Sequence, residues 1–303
     1  MLAFIGGRFM AIFKGAASAL ITPFTEDYKV DFNKLEELVD IQIENGVDAI
    51  VVCGTTGEAS TLTIEEHLEC IKVATSRAKK RVPIIAGTGS NNTSTSIYTS
   101  TQSQKIGVDG LLSVTPYYNK ATQNGLYEHY STIASKVDLP IILYNVPSRT
   151  GCNIQPDTVA RLFNDVDNIV GIKEASGNIS QVAEVMNKTD GRIDLYSGND
   201  DQVVPVLSLG GIGVISVMAN LSPKLMHDMV YKYFEGNHKE SLELQMKYLD
   251  VIHSLFCEVN PIPVKAAMNL MGYDVGGLRL PLTNMEVANL ERLKKDMKAV
   301  GLI

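Results

Sequence analysis

Eight short apolar runs recur along the chain, each followed by a stretch of helical periodicity, and this rhythm restricts the fold more than any other feature. The runs fall at 15–24, 47–53, 82–87, near 106–114, and at 140–147, 169–173, 193–198 and 213–217. They are continuous rather than alternating, as strands buried on both faces must be. Strands separated by helices make a parallel sheet, and eight such units point to an α/β chain closed as a (β/α)8 barrel. An open doubly wound sheet would need a glycine fingerprint at its first strand-to-helix turn, where this chain has Thr22-Pro23-Phe24. Gly87-Thr88-Gly89 matches only half of such a fingerprint.

Local signals mark the helices. Asp31 is placed to cap the first, and Thr63 with Glu66 has capping-box form. The Ser/Thr-rich stretch from Thr88 to Ser103 has poor helix propensity, yet the pattern that resumes after it requires a helix there. From Ser222, with Pro223 at the first helical position, the chain is expected to be helical to its end. The expected organisation is a non-core extension at 1–9, a barrel at 10–235 and a C-terminal helical subdomain at 236–303. Arg8 interrupts the initial apolar residues before they could form the core of a secretory signal.

The net charge of −7 argues against nucleic acid or an anionic membrane as partner. No apolar run is long enough to span a bilayer. Cys53, Cys70, Cys152 and Cys257 are widely separated, which favours reduced thiols in a cytoplasmic protein over a disulfide framework. The five histidines show no ligand spacing, so no metal site is expected.

In a barrel of this kind the active site lies at the C-terminal ends of the strands. Lys173 ends the sixth run, Tyr144 lies at the end of the fifth, Tyr118 follows the fourth, and Thr55 and Thr56 follow the second. Arg149 lies in the loop beyond Tyr144. A lysine in such a place is either paired, with Glu174 the nearest candidate, or used. A buried salt bridge would hold the amine protonated, whereas an unpaired, desolvated amine can form a Schiff base with a carbonyl. Condensation also moves protons, and Tyr144 with the hydroxyls of Thr55 and Tyr118 could relay them. Thr56, with backbone groups near Ile215, could hold a carboxylate beside the ketone. Arg149 could bind a second carboxylate in bidentate fashion.

Gly54-Thr55-Thr56-Gly57-Glu58, Pro116-Tyr117-Tyr118-Asn119, Tyr144-Asn145-Val146-Pro147-Ser148-Arg149-Thr150-Gly151 and Gly171-Ile172-Lys173-Glu174-Ala175-Ser176-Gly177 together resemble the dihydrodipicolinate synthase family. The resemblance runs from Ile12 to Ile303. It implies a lyase that condenses pyruvate with L-aspartate-4-semialdehyde in lysine and diaminopimelate synthesis, without a cofactor. It further implies Lys173 as the Schiff-base lysine, Tyr144 as proton donor and acceptor, and Thr55 and Tyr118 as relay members. Tyr118 would be lent by a neighbouring subunit of a homotetramer built as a dimer of tight dimers, or at least of a homodimer. Thr56, Ile215 and Gly198 would contact pyruvate, and Arg149 the semialdehyde carboxylate. Sister enzymes with the same lysine and tyrosine, such as N-acetylneuraminate lyase and 2-keto-3-deoxy sugar-acid aldolases, form the alternative; an inactive binding barrel is a third reading.

Family members inhibited by lysine bind it at the dimer interface. His67, Asn91 and Tyr117 match that site, but Ile64 replaces its histidine and Thr95 its glutamate. Weak or absent lysine inhibition is therefore expected. Asn199 stands where aspartate is commoner, a change of little expected consequence.

Overall fold

The computed structural model describes residues 4–5, 8–9 and 11–303. Eight parallel strands close into a barrel: β1 (Gly15–Ala19), β2 (Ala49–Val52), β3 (Ile84–Gly87), β4 (Gly110–Val114), β5 (Ile141–Asn145), β6 (Ile169–Glu174), β7 (Asp194–Ser197) and β8 (Gly213–Ser216). Each strand pairs with its sequence neighbours, and β8 closes the ring on β1 with Gly213 opposite Gly15. A side chain at Gly213 is impossible, because its Cβ would lie 2.1 Å from the Gly15 carbonyl oxygen. Only the first half of the first run is strand, which ends at Ala19, and Thr22-Pro23-Phe24 lies in the loop beyond it.

Strand alternation divides the core in two. Ala17, Ala19, Val51, Ile85, Leu112, Ile142 and Ile215 fill the barrel interior. Ala16, Leu20, Ile50, Ile84, Leu111, Leu143 and Ile172 face the surrounding helices. The continuous apolar runs follow from this double burial, each fully buried Leu or Ile contributing about 1.5–3 kcal/mol.

The helices begin where side-chain chemistry provides for it. Asp31 accepts from Lys34 N at the start of α1 (Phe32–Glu44), and Thr63 and Glu66 form a complete capping box on α2 (Ile64–Ala78). The Ser/Thr-rich segment forms α3 (Thr93–Ile106), capped by Asn92. Its polar inner face is satisfied locally, since Ser96 and Thr99 donate to the Thr88 carbonyl and Ser100 to the Thr88 hydroxyl. The remaining barrel helices are α4 (Gln123–Ala134), α5 (Pro156–Asp165), α6 (Ile179–Lys188), α7 (Val203–Ser208) and α8 (Pro223–Phe234).

After α8 come α9 (His238–Lys247), α10 (Leu249–Ser254), α11 (Ile262–Leu270) and α12 (Val287–Val300), so the expected division at 235/236 falls between α8 and α9. The expectation of helix throughout this region is corrected at 255–261, which is turn and bend, and at 271–286, which is irregular. Gly272 and Gly276 in the latter have positive φ, and Pro281 follows a cis peptide bond. The 271–286 segment crosses the chain at Phe24, whose N–H donates to Val275 O. A Cβ on Gly276 would meet the Phe24 carbonyl at 1.9 Å, so only glycine permits the crossing. Of the extension at 1–9, Phe4–Ile5 pairs antiparallel with Arg8–Phe9; its other residues lie outside the described ones.

Candidate active site

Lys173 is the penultimate residue of β6, with Ile172 and Glu174 on the opposite face of the pleat. Its side chain is buried, and none of the salt bridges among the described residues involves it. Burial lowers its pKa from 10.5 to about 8; Asp200 opposes the shift and Arg149 adds to it. At pH 7 roughly one lysine in ten is then neutral, against about one in 2,500 at the reference value.

Tyr144 on β5 is the direct Cα partner of Lys173 in the strand pairing, and the ammonium lies 4.5 Å from its ring centroid. Burial raises the phenol's pKa, with Arg149 and a hydrogen bond to Thr55 pulling the other way. The phenol therefore keeps its proton at neutral pH and can give it. Thr55 and Thr56 follow β2 on a turn closed by Gly57 N donating to Gly54 O. Thr56 is buried, and its hydroxyl accepts from Asn260 Nδ2 at 2.9 Å.

Arg149 lies on a single helical turn, Pro147–Thr150, directly beyond β5. Its NH2 donates to the Asn260 carbonyl at 3.1 Å, which fixes the guanidinium beside the barrel mouth. Gly198 follows β7, and a Cβ there would come within 3.0 Å of Lys173 Cε and 2.5 Å of Ala175 Cβ. Any larger residue would crowd the lysine. Ile215 on β8 is buried in the same interior cluster as Tyr144.

Six of the residues expected from sequence, Lys173, Tyr144, Thr55, Thr56, Arg149 and Gly198, are thus linked by contacts or charge, with Ile215 in the wall behind them. Tyr118 is not brought to this group within the chain. It is 91% exposed, at φ 70°, beside Tyr117, which is also exposed. Glu174 is locked elsewhere: it accepts from Asn145 Nδ2, Ser176 N and Gln181 Nε2 at 2.8–3.1 Å.

Two contributors escaped sequence reasoning. Asp200 is buried, accepts from Val217 N and Met218 N, and supplies the negative charge felt by Lys173. Its position three residues after β7, another strand end, was the available signal. Asn260 bridges Thr56 and Arg149 from the far end of the sequence, and no local pattern announces it.

A cavity of about 410 Å³ is lined by Thr55, Tyr144 and Arg149 together with His67, Thr95 and Tyr117. His67 is tied to Gly87 O at 2.8 Å, and burial lowers its pKa. Asn91 donates to Tyr117 O. Ile64 is exposed at the cavity edge.

Comparison with known proteins shows the family. A model of the dihydrodipicolinate synthetase family matches residues 12–300. The chain is 61% identical over 294 residues to a 4-hydroxy-tetrahydrodipicolinate synthase of Lachnoclostridium phytofermentans, covering 97% of this chain and 100% of that protein. It resembles the dihydrodipicolinate synthase of Cyanidioschyzon merolae solved with lysine bound, at a TM-score of 0.94 and 41% identity over 97% of this chain and 100% of that one. The chloride-inhibited enzyme of Acinetobacter baumannii, solved with pyruvate, gives 0.93 and 44% over 96% and 99%.

Proposed function

The chain belongs to the dihydrodipicolinate synthetase family and is a lyase with 4-hydroxy-tetrahydrodipicolinate synthase activity, and on that premise we propose how its residues divide the chemistry. The substrates are pyruvate and L-aspartate-4-semialdehyde. Neutral Lys173 Nζ attacks the pyruvate ketone, forming a C–N bond and a carbinolamine. Tyr144 protonates the departing hydroxyl, which leaves as water, and the iminium forms on Lys173. Loss of a methyl proton to the Tyr144–Thr55 relay gives the enamine, whose carbon attacks the aldehyde of the second substrate. That substrate's own amine then displaces Lys173 and closes the ring, restoring the free lysine.

Thr56, Gly198 and the backbone at Ile215 hold the pyruvate carboxylate end, and Arg149 takes the semialdehyde carboxylate. The observation that carries this reading is a buried lysine, in no salt bridge among the described residues, facing a buried tyrosine across adjacent strands. Borohydride reduction in the presence of pyruvate followed by mass spectrometry tests it: an adduct on Lys173 is expected, and its absence would refute the covalent mechanism. Turnover with aspartate semialdehyde, compared with sialic acid and keto-deoxy-gluconate, checks the substrate.

The working form in this reading is a homotetramer, or at least a homodimer, in which Tyr118 reaches the neighbour's relay. Its support is the exposure of Tyr117 and Tyr118 together on one loop. The helices from 236 onward act as a C-terminal subdomain packed on the barrel. Lysine inhibits weakly or not at all, since Ile64 and Thr95 offer neither the imidazole nor the carboxylate that a cationic ligand needs. No helix among the described residues is long and apolar enough to cross a membrane. The free cysteines suit a reducing cytoplasm.

A further inference from the structure

Glu58 ends the loop that carries Thr55 and Thr56, and its carboxylate meets Lys265 of α11 in an ion pair at 2.7 Å. The two side chains are 0% and 1% exposed. Lys265 Nζ also donates to Gly277 O at 2.7 Å and lies 4.0 Å from the centroid of the Phe24 ring. The second carboxylate oxygen of Glu58 accepts from Arg279 N at 3.1 Å. Arg279 in turn binds the carbonyl of Thr61 and the carboxylate of Glu66, beyond the same loop. The irregular segment at 271–286 and the first turn of α11 therefore converge on one loop carboxylate.

Stability alone does not account for such a pair. Two charges taken out of water gain little over an apolar pair of the same volume, although breaking one partner is costly. What an ion pair adds is a fixed register between the elements that carry it. Here one element is a loop under backbone constraint, with Glu58 at φ 52°, a conformation side chains other than glycine rarely adopt. Next to it, Gly57 O accepts from the Thr22 hydroxyl at 2.6 Å, and Thr56 Oγ1 accepts from Asn260, two residues before α11. Apart from the hydrogen bond between Thr55 and Tyr144, these anchors lead to the C-terminal segment or to the chain just after β1.

We propose that Glu58 and Lys265 are positioning residues for the substrate site, docking the C-terminal segment on the loop after β2 and so fixing the Thr56 hydroxyl where the pyruvate carboxylate needs it. This rests on the assignment of Thr56 to the pyruvate carboxylate. Neither side chain touches substrate. Their effect is on the placement of groups that do, so it falls on substrate affinity more than on the chemical step.

The test compares Lys265→Met, the neutral pair Glu58→Gln/Lys265→Met, the charge-retaining Glu58→Asp and, as control, Thr56→Val, with melting temperature, pyruvate KM and kcat measured for each tetramer or dimer as purified. Lys265→Met alone should melt lower, because it leaves a carboxylate buried and unpaired. The neutral pair should recover most of that loss while its pyruvate KM stays raised by about tenfold, with kcat at saturating pyruvate changed far less. Glu58→Asp should raise KM to a smaller degree. A neutral pair with both wild-type melting and wild-type KM, or an unchanged KM in Glu58→Asp, would overturn the proposal while leaving the site assignment standing if Thr56→Val still raises KM. An unchanged KM in Thr56→Val would overturn both.

Discussion

Tyr144 and Lys173 are Cα partners across β5 and β6, and the ammonium of the lysine lies over the ring of the tyrosine at 4.5 Å. Cα partners on adjacent strands project to the same face of the sheet, so both side chains point into the barrel. The lysine and the tyrosine are thereby held together by backbone hydrogen bonds rather than by any bond between their own side chains.

Lys173 is a nucleophile only when deprotonated, and its pKa of about 8 lies above neutrality. The kcat/KM for pyruvate should rise with pH through that region, falling toward about tenfold per unit on the acid side. A flat profile between pH 6 and 8 would contradict the assignment.

Burying this amine also costs stability. Its pKa in the folded chain is lower than the 10.5 of an unfolded lysine, so the cost is fully present below about pH 8 and disappears as pH rises toward 10.5. At pH 7 the shift corresponds to about 3 kcal/mol. Lys173→Met should abolish borohydride trapping yet raise the melting temperature at pH 7, with the gain shrinking at pH 10.

Tyr144→Phe removes the proton donor while keeping the buried ring. Turnover should fall by about tenfold or more, with circular dichroism unchanged. Thr55→Val should fall in the same direction by a smaller factor. Near-normal activity in Tyr144→Phe would remove the relay role.

If Tyr118 serves the neighbouring subunit, two inactive variants should rescue one another. Tyr118→Ala and Lys173→Ala, mixed and reassembled, produce hybrids in which one site has its own Lys173 and receives Tyr118 from the other chain. Recovery of activity on mixing, and its absence when the variants are kept apart, is the expected result. No recovery in hybrids verified by mass would place Tyr118 outside the relay.

Lysine should leave activity nearly unchanged at millimolar concentration, and the double change Ile64→His with Thr95→Glu should make the enzyme more sensitive. The two positions border the cavity with His67 and Tyr117, so the new groups would face a space already present. Half-maximal inhibition of the unaltered enzyme at or below millimolar lysine would overturn the expectation.

The sequence by itself determined the barrel, because continuous apolar runs at regular spacing admit only a parallel sheet with both faces covered. It also placed Lys173, Tyr144, Thr55, Thr56 and Arg149 at strand ends, where position along the chain already implies position in space. It misjudged 271–286 as helix, since the need for irregular backbone there comes from crossing Phe24, a contact between opposite ends of the chain. Glu174, adjacent to Lys173 in sequence, proved to face Asn145 and Gln181 because strand pleating turns neighbours to opposite sides. Asn260 and the Glu58–Lys265 pair were decided by tertiary structure alone, while Asp200 left only its strand-end position as a sign. Each acts through a partner distant in the chain, and burial, which gives such a contact its strength, is a property of the folded molecule.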